Sequence, residues 1–579
     1  MSIAVGIDLG TTNSVAAVAT AMGVQFAQDA WQRRIHPSVV SFPARGGVLV
    51  GHDAAAQRAA DPVHTIYSAK RLIGQNLRAP LVQLALTALP FKVEEGPNQQ
   101  PIIVARDRRL SVPEVSGHVL GHLKRLAEKQ FADVVKQAVI TVPANFTDAQ
   151  RQATREAGRL AGLEVLRLVN EPTAAALAYG YGQRLDEMVA VYDFGGGTFD
   201  LSILRIRAEI FEVVASDGDF FLGGDDLDRT LAEHLAAQLN RIHGIDPRSQ
   251  PLVMTRLTMA AEQIKCHLST ETVAEGSIDS LVVEGRSQPL SVPFRVTREQ
   301  FDRMITGYVD RTIDVCRNVL THARIDPAQL SEIICVGGTT RVPLVRDRLG
   351  DLFGRDPSVG INPDEVVAHG AAIQAAALAG ALDAPARTQM GTAPTMEVPA
   401  SALQTARMPA AAAPGAGPPP IDMPGAAPPP PQAEVAPYHA TAHPAQRMAA
   451  VRPVLMDVNP ATLRIATAGG WSESILDKNA PIPIERTKVF TTAHDRQTHV
   501  VIDCGRGEER KFADNEPLGT LELDGLPAKL RGESQIEVTF RVDADGILHV
   551  RAKDKQTGTK AEAKLTVLGA PVAPPEGES

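Results

Sequence analysis

Two segments of the chain share one plan: an apolar run, an aspartate, a glycine turn, a threonine and a second apolar run. They are IAVGIDLGTTNSVAAV, which begins at residue 3, and VAVYDFGGGTFDLSIL, residues 189–204. Each predicts a β-hairpin, and their aspartates, Asp8 and Asp193, stand 185 positions apart. The repeat therefore predicts an α/β domain of two similar halves, each of which offers one hairpin to a shared cleft.

The glycine turns suit a bound polyphosphate, because a glycine-rich turn lets backbone N–H groups converge into an anion-binding nest. The carboxylates of Asp8, Asp193 and Asp200 would repel phosphate, so they imply a Mg²⁺ ion between, which prefers oxygen ligands and keeps several waters. Hydroxyl groups for phosphate or the attacking water come from Thr11, Thr12 and Thr198. The alternative is two ordinary hairpins with turn-forming Asp and Gly. No GxxxxGK[ST] or GxGxxG motif competes with this site.

Two further glycine pairs precede predicted helices. In ICVGGTTRVPLVRDRLG an apolar strand runs into Gly337-Gly338, and a helix begins near Pro343. Such a turn can accept a nucleotide base or ribose with close backbone approach, although alone it is weak evidence. The pair in FLGGDDLDRTLAEHL precedes an acidic helix start, which plain helix capping also explains.

Composition divides the chain into four parts. Residues 1–382 alternate β-rich runs with amphipathic helical patterns, which is typical of an α/β domain. Residues 383–450 are rich in Pro, Ala and Gly and predict a disordered linker, because they cannot bury enough apolar surface to offset chain entropy. Residues 451–567 alternate polar and apolar side chains and predict an antiparallel β-sandwich, and residues 568–579 predict a flexible tail.

Charge and composition exclude several classes of function. The formal net charge is −9 and no block of Lys and Arg occurs, so nucleic-acid binding is not expected. The apolar segment GAAIQAAALAGALDA is shorter than the ~20 residues that cross a bilayer, and the N-terminus lacks a signal-peptide pattern. We therefore expect no membrane contact and a cytoplasmic location. The scattered cysteines are expected to be reduced, buried thiols: Cys266, Cys316, Cys335 and Cys504.

Long segments of the chain resemble, in family order, the 70-kDa heat-shock chaperone family. They include GIDLGTTNS, YSAKRLIG, VITVPANFTDAQRQATREAGRLAGLEVLRLVNEPTAAALAYG, VYDFGGGTFDLSIL, VGGTTRVPLV, INPDEVVAHGAAIQA and EVTFRVDADGILHVRAKDK. The resemblance covers residues 3–382 and about 451–567. It implies an actin-like (ribonuclease H-like), two-lobed α/β ATPase domain, followed by an all-β sandwich that binds extended peptide. It also implies ATP/ADP and Mg²⁺ as cofactors, with K⁺ as an optional further ion.

The resemblance assigns roles in the ATPase domain position by position. Lys70 matches the catalytic lysine, whose ammonium offsets charge that develops at the γ-phosphate. Glu171 matches the residue that orients water and senses nucleotide. The other catalytic and metal positions are Asp8, Asp193, Asp200 and Thr198. The positions that match nucleotide contacts are Gly10, Thr11, Thr12, Asn13, Gly195, Gly196, Gly197, Gly223, Gly224, Glu262, Lys265, Ser269, Gly337, Gly338, Thr339, Arg341 and Asp364.

The resemblance also implies coupling, peptide and partner sites. The segment VRPVLMDVNP resembles the interdomain linker, a short apolar strip that can dock on the ATPase domain in one nucleotide state. The coupling positions are Pro143, Arg151, Arg167, Asn170, Val454, Leu455, Met456 and Asp457. The peptide-cleft positions are Ile465, Thr467, Ala468, Phe490, Ala493, Val500 and Ile502, although alternation alone favours the sandwich core for the pocket residues. Implied partners are unfolded or extended polypeptides, a J-domain co-chaperone that meets Arg167, Asn170 and Asp457, and a nucleotide-exchange factor, with the chain itself a monomer.

The chain departs from the family pattern in ways that bear on function. The 383–450 segment stands where the family has only a few residues, so a long tether is expected to weaken domain coupling. The sequence ends just after the predicted sandwich, so we expect a divergent member without the α-helical lid. Ala468 and Ala493 fall on the arch that covers the peptide, and two small residues predict an open arch. Met456 is a mild departure in the linker, where the family favours leucine.

Three functions follow from this pattern. The favoured one is an ATP-dependent chaperone that captures exposed apolar segments and is switched by slow hydrolysis. The second is a regulatory or scaffolding relative that presents its sandwich or Pro-rich segment to one dedicated partner. Peptide-stimulated hydrolysis favours the first, and peptide-insensitive binding of one folded partner favours the second. A kinase of a small metabolite is a third function, disfavoured by the appended sandwich and the unbroken chaperone motifs.

Overall fold

The structure is a computed structural model that describes residues 3–20, 23–284, 286–358, 360, 362–380, 452–558 and 560–563. The predicted linker (383–450) and the predicted tail (568–579) lie outside the described residues. Residues 3–180 form β1 (Ile3–Leu9), β2 (Asn13–Thr20), β3 (Gly23–Phe26), β4 (His36–Pro37), β5 (Val40–Ser41), β6 (Leu49–Val50), α1 (His52–Ala55), β7 (Thr65–Ile66), α2 (Pro80–Leu86), β8 (Lys92–Glu95), β9 (Pro101–Ala105), β10 (Arg108–Ser111), α3 (Val112–Phe131), β11 (Val135–Val142), α4 (Asp148–Leu160), β12 (Glu164–Asn170) and α5 (Glu171–Gly180).

A second series of strands and helices follows. It comprises β13 (Asp186–Phe194), β14 (Phe199–Arg207), β15 (Ile210–Asp219), α6 (Gly224–His243), α7 (Pro251–Leu268), β16 (Val273–Leu281), β17 (Leu290–Thr297), α8 (Arg298–Ala323), β18 (Glu332–Val336), α9 (Pro343–Phe353) and α10 (Val366–Leu378). The helix predicted to begin near Pro343 is α9. Within the described residues, none of the helices is both long and apolar enough to cross a membrane.

The two glycine hairpins start two sheets with the same pairing scheme. In the first sheet β1 pairs antiparallel with β2 and parallel with β11, and β3 continues the antiparallel ribbon. In the second sheet β13 pairs antiparallel with β14 and parallel with β18, and β15 continues the ribbon. Each hairpin is thus the centre of a mixed sheet, and the internal repeat seen in the sequence corresponds to a repeated strand arrangement.

The remaining described residues are almost entirely β. They form β19 (Val454–Val458), β20 (Leu463–Ala466), β21 (Ser472–Leu476), β22 (Pro481–Ile482), β23 (Ile484–Thr491), β24 (His499–Arg506), β25 (Glu516–Asp524), β26 (Gln535–Val542), β27 (Leu548–Asp554) and β28 (Lys560–Ala563). Two four-stranded sheets, β21-β20-β24-β25 and β23-β26-β27-β28, enclose one apolar core. Strand β19 joins neither, because it extends the second sheet of the preceding region.

Helices α5 and α10 pack between the two mixed sheets with almost no room for side chains. Both are rich in alanine, and their buried residues join apolar side chains from β1, β11, β13 and β14. A Cβ built at Gly370 of α10 would lie 1.8 Å from the Ala174 carbonyl oxygen, and one at Gly6 of β1 would lie 2.0 Å from the Ala372 nitrogen. The atoms that limit the space at Gly370 and Gly6 are therefore backbone atoms. Backbone atoms cannot move aside as the end of a flexible side chain can.

We expect Gly370→Ala to destabilise this region by about 3 kcal/mol, because overpacking against fixed backbone forces the helices apart. The matched control is Gly307→Ala in the exposed middle of α8, where a Cβ meets nothing within 4 Å. That change should add about 0.5–1 kcal/mol of stability, since alanine restricts the unfolded chain and favours helix. Urea unfolding of both variants measures the difference, and equal midpoints would contradict the packing described here.

Candidate nucleotide site and its link to the β-sandwich

The turns of the two glycine hairpins lie against each other at the cleft between the sheets. A Cβ at Gly196 would approach Thr12 Oγ1 to 1.8 Å, and one at Gly197 would approach Thr11 Cγ2 to 2.5 Å. The second turn is closed by the Gly195 N–H, which donates to the Thr198 carbonyl over 3.1 Å. The structure therefore brings together the two turns that the sequence predicts as phosphate loops.

Four carboxylates and one ammonium meet beneath these turns. Asp193 and Asp200 are directly opposite partners in the β13–β14 ladder, and both are buried. Lys70, on a 3₁₀ turn (Ala69–Leu72), donates from Nζ to Glu171 Oε1 over 2.7 Å, with both side chains less than a tenth exposed. Asp8 lines one small cavity together with Lys70, Glu171 and Asp193. Like charges placed opposite each other in a sheet are unfavourable, so the cluster favours an added cation.

The pKa values of these carboxyl groups also indicate that the cluster favours an added cation. Burial first, and then the charge of Glu171, raise the pKa of Asp8 to about 7, against the lowering effect of Lys70. The same leading causes raise the pKa values of Asp193 and Asp200 well above 3.8. One lysine thus does not balance the negative charge, and a divalent cation with oxygen ligands would.

Neighbouring polar groups hold two of these carboxylates in place. Thr141, near the end of β11, donates to Asp8 Oδ1 over 3.0 Å. Asn145, in the loop that follows, donates from Nδ2 to Asp200 Oδ1 over 2.6 Å. Both lie in the segment VITVPANFT, where the sequence analysis assigned a role only to Pro143, which is buried beside them.

Two cavities open at the first glycine turn and share Thr11, Thr12 and Asn13. The smaller, ≈ 90 Å³, is lined by Lys70, by the carboxylates of Asp8, Glu171 and Asp193, and by Gly195, Gly196 and Thr198 of the second turn. The larger, ≈ 620 Å³, extends between α6, α7 and the α2 region. A cavity of several hundred Å³ is the size that small ligands occupy.

The predicted adenosine contacts lie around these cavities, although not all of them line one. Gly337, Gly338 and Asp364 line the smaller cavity, and Glu262 lines the larger. Lys265 donates to Asp228 Oδ2 over 2.8 Å, and Arg341 donates to Asp364 Oδ2 over 2.6 Å. Glu262 and Lys265 lie on α7, whereas Ser269 follows the last residue of that helix. Thr339 donates to the Gly195 carbonyl over 2.8 Å and so ties the Gly337–Gly338 turn to the second phosphate loop.

The sequence analysis missed several residues that shape the cleft. Gly223 is the N-cap of α6 and Gly224 is its first residue, and Asp226 caps the helix by accepting from the Gly223 N–H over 2.9 Å. Asp226 also pairs with Arg71 over 2.8 Å across the cleft, and Asp225 accepts from Ser68 over 2.7 Å. These acids stand in FLGGDDLD, so the signal was the unusual density of Asp at one helix start.

The predicted linker strip forms a strand on the second mixed sheet. β19 pairs in parallel with β15, with Val454, Leu455 and Met456 opposite Ile210, Phe211 and Glu212. Leu455 is buried in the core between the sheets, whereas Val454 is exposed. The apolar strip is therefore docked in this structure.

Helix α5 connects the carboxylate cluster to this strand. Its first residue, Glu171, accepts from Lys70, and Thr173, two residues on, donates from Oγ1 to Asp457 Oδ1 over 2.5 Å. Asp457 is 4% exposed, so this bond is made away from solvent. One turn of one helix thus contacts both the nucleotide cleft and the linker.

A loop of the sandwich makes a second contact, with α4 and β12. Asp545 accepts from the Leu168 N–H over 3.0 Å and pairs with Arg155 of α4. Arg151, 2% exposed, donates to the Asp545 carbonyl over 3.2 Å and to Asn170 Oδ1 over 2.8 Å. Of the predicted coupling residues, Arg167 lies on β12, and its buried Nε has no hydrogen-bond partner among the described residues.

The predicted peptide-cleft residues occupy different environments in the sandwich. Ile465 and Ile502 are 3% and 5% exposed and belong to the core between the two sheets. Phe490 and Val500 are half-buried and pack against that core. Thr467 is half-buried, and the two arch positions, Ala468 and Ala493, are exposed. The assignment of these residues to a peptide pocket stays a prediction.

The cysteines are all free, as expected, but only three of them are buried. Cys316, Cys335 and Cys504 are buried, whereas Cys266, on α7, is exposed. The expectation of four buried thiols was therefore wrong for Cys266, because it lies on the side of the helix that does not pack into the core.

The mixed α/β sheets that carry these glycine hairpins, with an all-β domain after them, fit an actin-like ATPase joined to a β-sandwich. A family model described as Hsp70 protein matches residues 4–389 and 440–571, which is nearly the whole chain. The chain therefore belongs to the Hsp70 family, and the resemblance found in the sequence is confirmed. Members of this family are ATPases that bind ATP or ADP with Mg²⁺ and act as ATP-dependent chaperones.

Proposed function

We propose that this protein is an ATP-dependent chaperone that binds extended hydrophobic segments of unfolded proteins and is switched by slow ATP hydrolysis. The observation that carries the proposal is the double contact of α5, with Lys70 through Glu171 and with Asp457 through Thr173. A change at the nucleotide site that moves α5 by a fraction of an ångström would alter the bond that holds the linker. Such a helix is a two-state element that both sites can bias.

The residues of the cleft fit a Mg²⁺–nucleotide. Three buried carboxylates, whose pKa values are raised, supply oxygen ligands, directly or through water, and the glycine turns supply backbone N–H groups. A Cβ at Gly195 would meet only the Thr198 carbonyl, at 3.8 Å, so glycine leaves open space there. Asp8, Asp193 and Asp200 would hold the ion, which neutralises charge on the phosphates when bound.

The chain's own groups would position the reactants. The Lys70 ammonium would lie near the γ-phosphate, held there by Glu171 and by the face of Phe146, 5.4 Å from Nζ. Glu171 and the Thr198 hydroxyl would orient the attacking water. Phosphoryl transfer to water depends mainly on such positioning and charge stabilisation rather than on covalent chemistry.

The docked linker and sandwich define one end of the switch. With β19 on β15 and Asp545 on α4 and β12, the sandwich is held against the ATPase domain. Hydrolysis would release these contacts and change the affinity of the sandwich for peptide. A J-domain co-chaperone would act on the same contact through Arg167, Asn170 and Asp457, and a nucleotide-exchange factor would open the cleft. A monomeric state and a cytoplasmic location remain predictions.

The proposal predicts that nucleotide changes peptide affinity. A fluorescent, Leu-rich extended peptide should dissociate more rapidly from the ATP-bound than from the ADP-bound protein, measured by stopped-flow anisotropy. A peptide of the same length in which Asp replaces each Leu is the control for nonspecific binding. Equal dissociation rates in both nucleotide states would contradict a chaperone switch.

One observation favours the dedicated-partner function instead. The side chains of Ile465 and Ile502 are almost completely buried in the sandwich core, so they offer little apolar surface to a peptide. A regulatory relative would use a face of the sandwich rather than a pocket. Nucleotide-dependent capture of a single folded protein, with no effect of unfolded peptide, would establish this alternative.

A further inference from the structure

Three histidines form a cluster beside the first mixed sheet. His36 lies on β4, His52 begins α1 and His122 lies on α3. The ring centroid of His36 is 5.8 Å from that of His52 and 5.4 Å from that of His122. One ring nitrogen of His36, one of His52 and a carboxylate oxygen of Asp29 all lie within 4.8 Å of one another. Three segments of the chain therefore bring metal-ligating atoms to one place, and the ring of His122, on a fourth, contacts His36.

Two of these imidazoles have a buried nitrogen that no group in the described part of the chain satisfies. His36 is 1% exposed, and its Nε2 has no hydrogen-bond partner among the described residues. The buried Nε2 of His122 likewise has none. Buried polar atoms in folded proteins are rarely left unpaired, so two in contacting rings call for a ligand.

The tautomer of His52 suits metal binding. Its Nε2 lies 3.1 Å from the Ile35 carbonyl oxygen, and because a carbonyl can only accept, Nε2 carries the proton. The lone pair then belongs to Nδ1. An imidazole that donates one N–H to a backbone carbonyl and offers its other nitrogen is the usual arrangement of a histidine ligand.

The carboxylate of Asp29 is held in position by its own neighbours. Its Oδ1 accepts from the N–H groups of Trp31 and Arg33, and its Oδ2 accepts from Arg33 Nε over 2.6 Å. The group is therefore fixed and partly neutralised before any ion binds. A donor set of neutral imidazoles with one carboxylate suits Zn²⁺ and related transition ions and does not suit Mg²⁺ or Ca²⁺, which prefer oxygen.

We propose that His36, His52 and Asp29, with His122 as a further imidazole, form a binding site for a divalent transition ion of the Zn²⁺ class. This site is separate from the nucleotide carboxylates and does not depend on the proposed chaperone function. It lies behind the first phosphate turn, because His36 is paired with Ser14 in the β4–β2 ladder and Ser38 donates to the Gly10 carbonyl. A bound ion would brace β4, α1 and α3 against that turn.

The test is zinc binding by the tag-free, full-length protein, freed of metal with a chelator and assayed by calorimetry without nucleotide. Excess Mg²⁺ is present to occupy the oxygen-rich nucleotide site. We expect one Zn²⁺ per chain, with an affinity that falls by at least roughly 100-fold in His36→Gln and in His52→Gln. The controls are His118→Gln, a histidine of α3 that packs on Phe42, and His499→Gln, which removes an exposed His–carboxylate group on the sandwich.

The outcomes distinguish a metal-binding site from histidine rings that only pack against one another in the core. Binding that is lost with His36 or His52 and kept in both controls supports the proposal. Absence of binding, or binding lost only in His499→Gln, overturns it. Because His36 is buried and its replacement also perturbs packing, zinc-edge X-ray absorption of the wild-type protein provides a second measurement. Imidazole scattering from at least two histidines supports the site, and a shell of oxygen or sulfur alone overturns it.

Discussion

Lys70→Ala is expected to reduce single-turnover ATP hydrolysis by roughly 10²–10³-fold while leaving ATP binding largely intact, since removal of one preorganised charge-stabilising group has an effect of this size. The Lys70 Nζ lies 2.7 Å from Glu171 Oε1, and Asp8 and Asp193 line the same cavity. Its removal takes away the positive charge that would face the γ-phosphate and also frees Glu171 from the position that orients water. In the proposed site, most nucleotide contacts would instead come from the glycine turns and the α7 side of the cleft.

The control for Lys70→Ala is Lys124→Ala, which removes an ammonium of α3 whose bond to the Gly162 carbonyl is exposed. That variant should hydrolyse ATP at the wild-type rate. Thermal unfolding of Lys70→Ala checks that the buried Glu171 left without its partner has not unfolded the domain. A folded Lys70→Ala protein with wild-type turnover would remove Lys70 from the proposed mechanism.

Asp545→Ala is expected to uncouple the two domains. The Asp545 side chain bonds the Leu168 N–H and Arg155, and truncating one member of this part-buried, charge-assisted set costs about 2 kcal/mol of docking free energy, the lower end of the range for buried charge pairs. Docking in the ATP state should therefore weaken by roughly 30-fold or more. Fluorescence energy transfer between dyes on the ATPase domain and the sandwich, titrated with ATP, measures the docked fraction.

Asp524→Ala is the matched control, because it removes a carboxylate of β25 whose ion pair with His499 is exposed to solvent. It changes the net charge of the sandwich equally and should leave docking unchanged. Basal hydrolysis without peptide should stay measurable in both variants. If Asp545→Ala docks as tightly as the control, the sandwich loop does not hold the domains together.

The sequence was most informative where local pattern and chemistry coincide. Two apolar runs joined by a glycine turn predicted both hairpins, and the structure adds that Asp193 and Asp200 are opposite partners in the second one. Lys70 could not be found in this way, because nothing in its 3₁₀ turn separates a buried catalytic lysine from a solvated one. Its role came from the family resemblance, and the structure adds its short bond to Glu171.

Contacts between distant segments were beyond sequence reasoning. Asp545 meets Leu168 across 377 positions, and the segment that carries it, DADG (residues 543–546), has the composition of an ordinary hairpin turn. The acidic start of α6 suggested plain helix capping, which Asp226 does provide, but the pairing of Asp226 with Arg71 depends on how the two halves approach. In the sandwich, alternation predicts that Ile465 and Ile502 share a face, yet it cannot tell a pocket from a core.

The central claim is that the nucleotide site and the sandwich communicate through α5 and β19. Single-turnover ATP hydrolysis by the full-length protein, with and without a short Leu-rich extended peptide, tests this most directly. We predict a clear acceleration by the peptide, which Asp545→Ala abolishes and Asp524→Ala retains. Hydrolysis that proceeds at one rate with or without peptide, in a protein shown to bind that peptide, would contradict the claim.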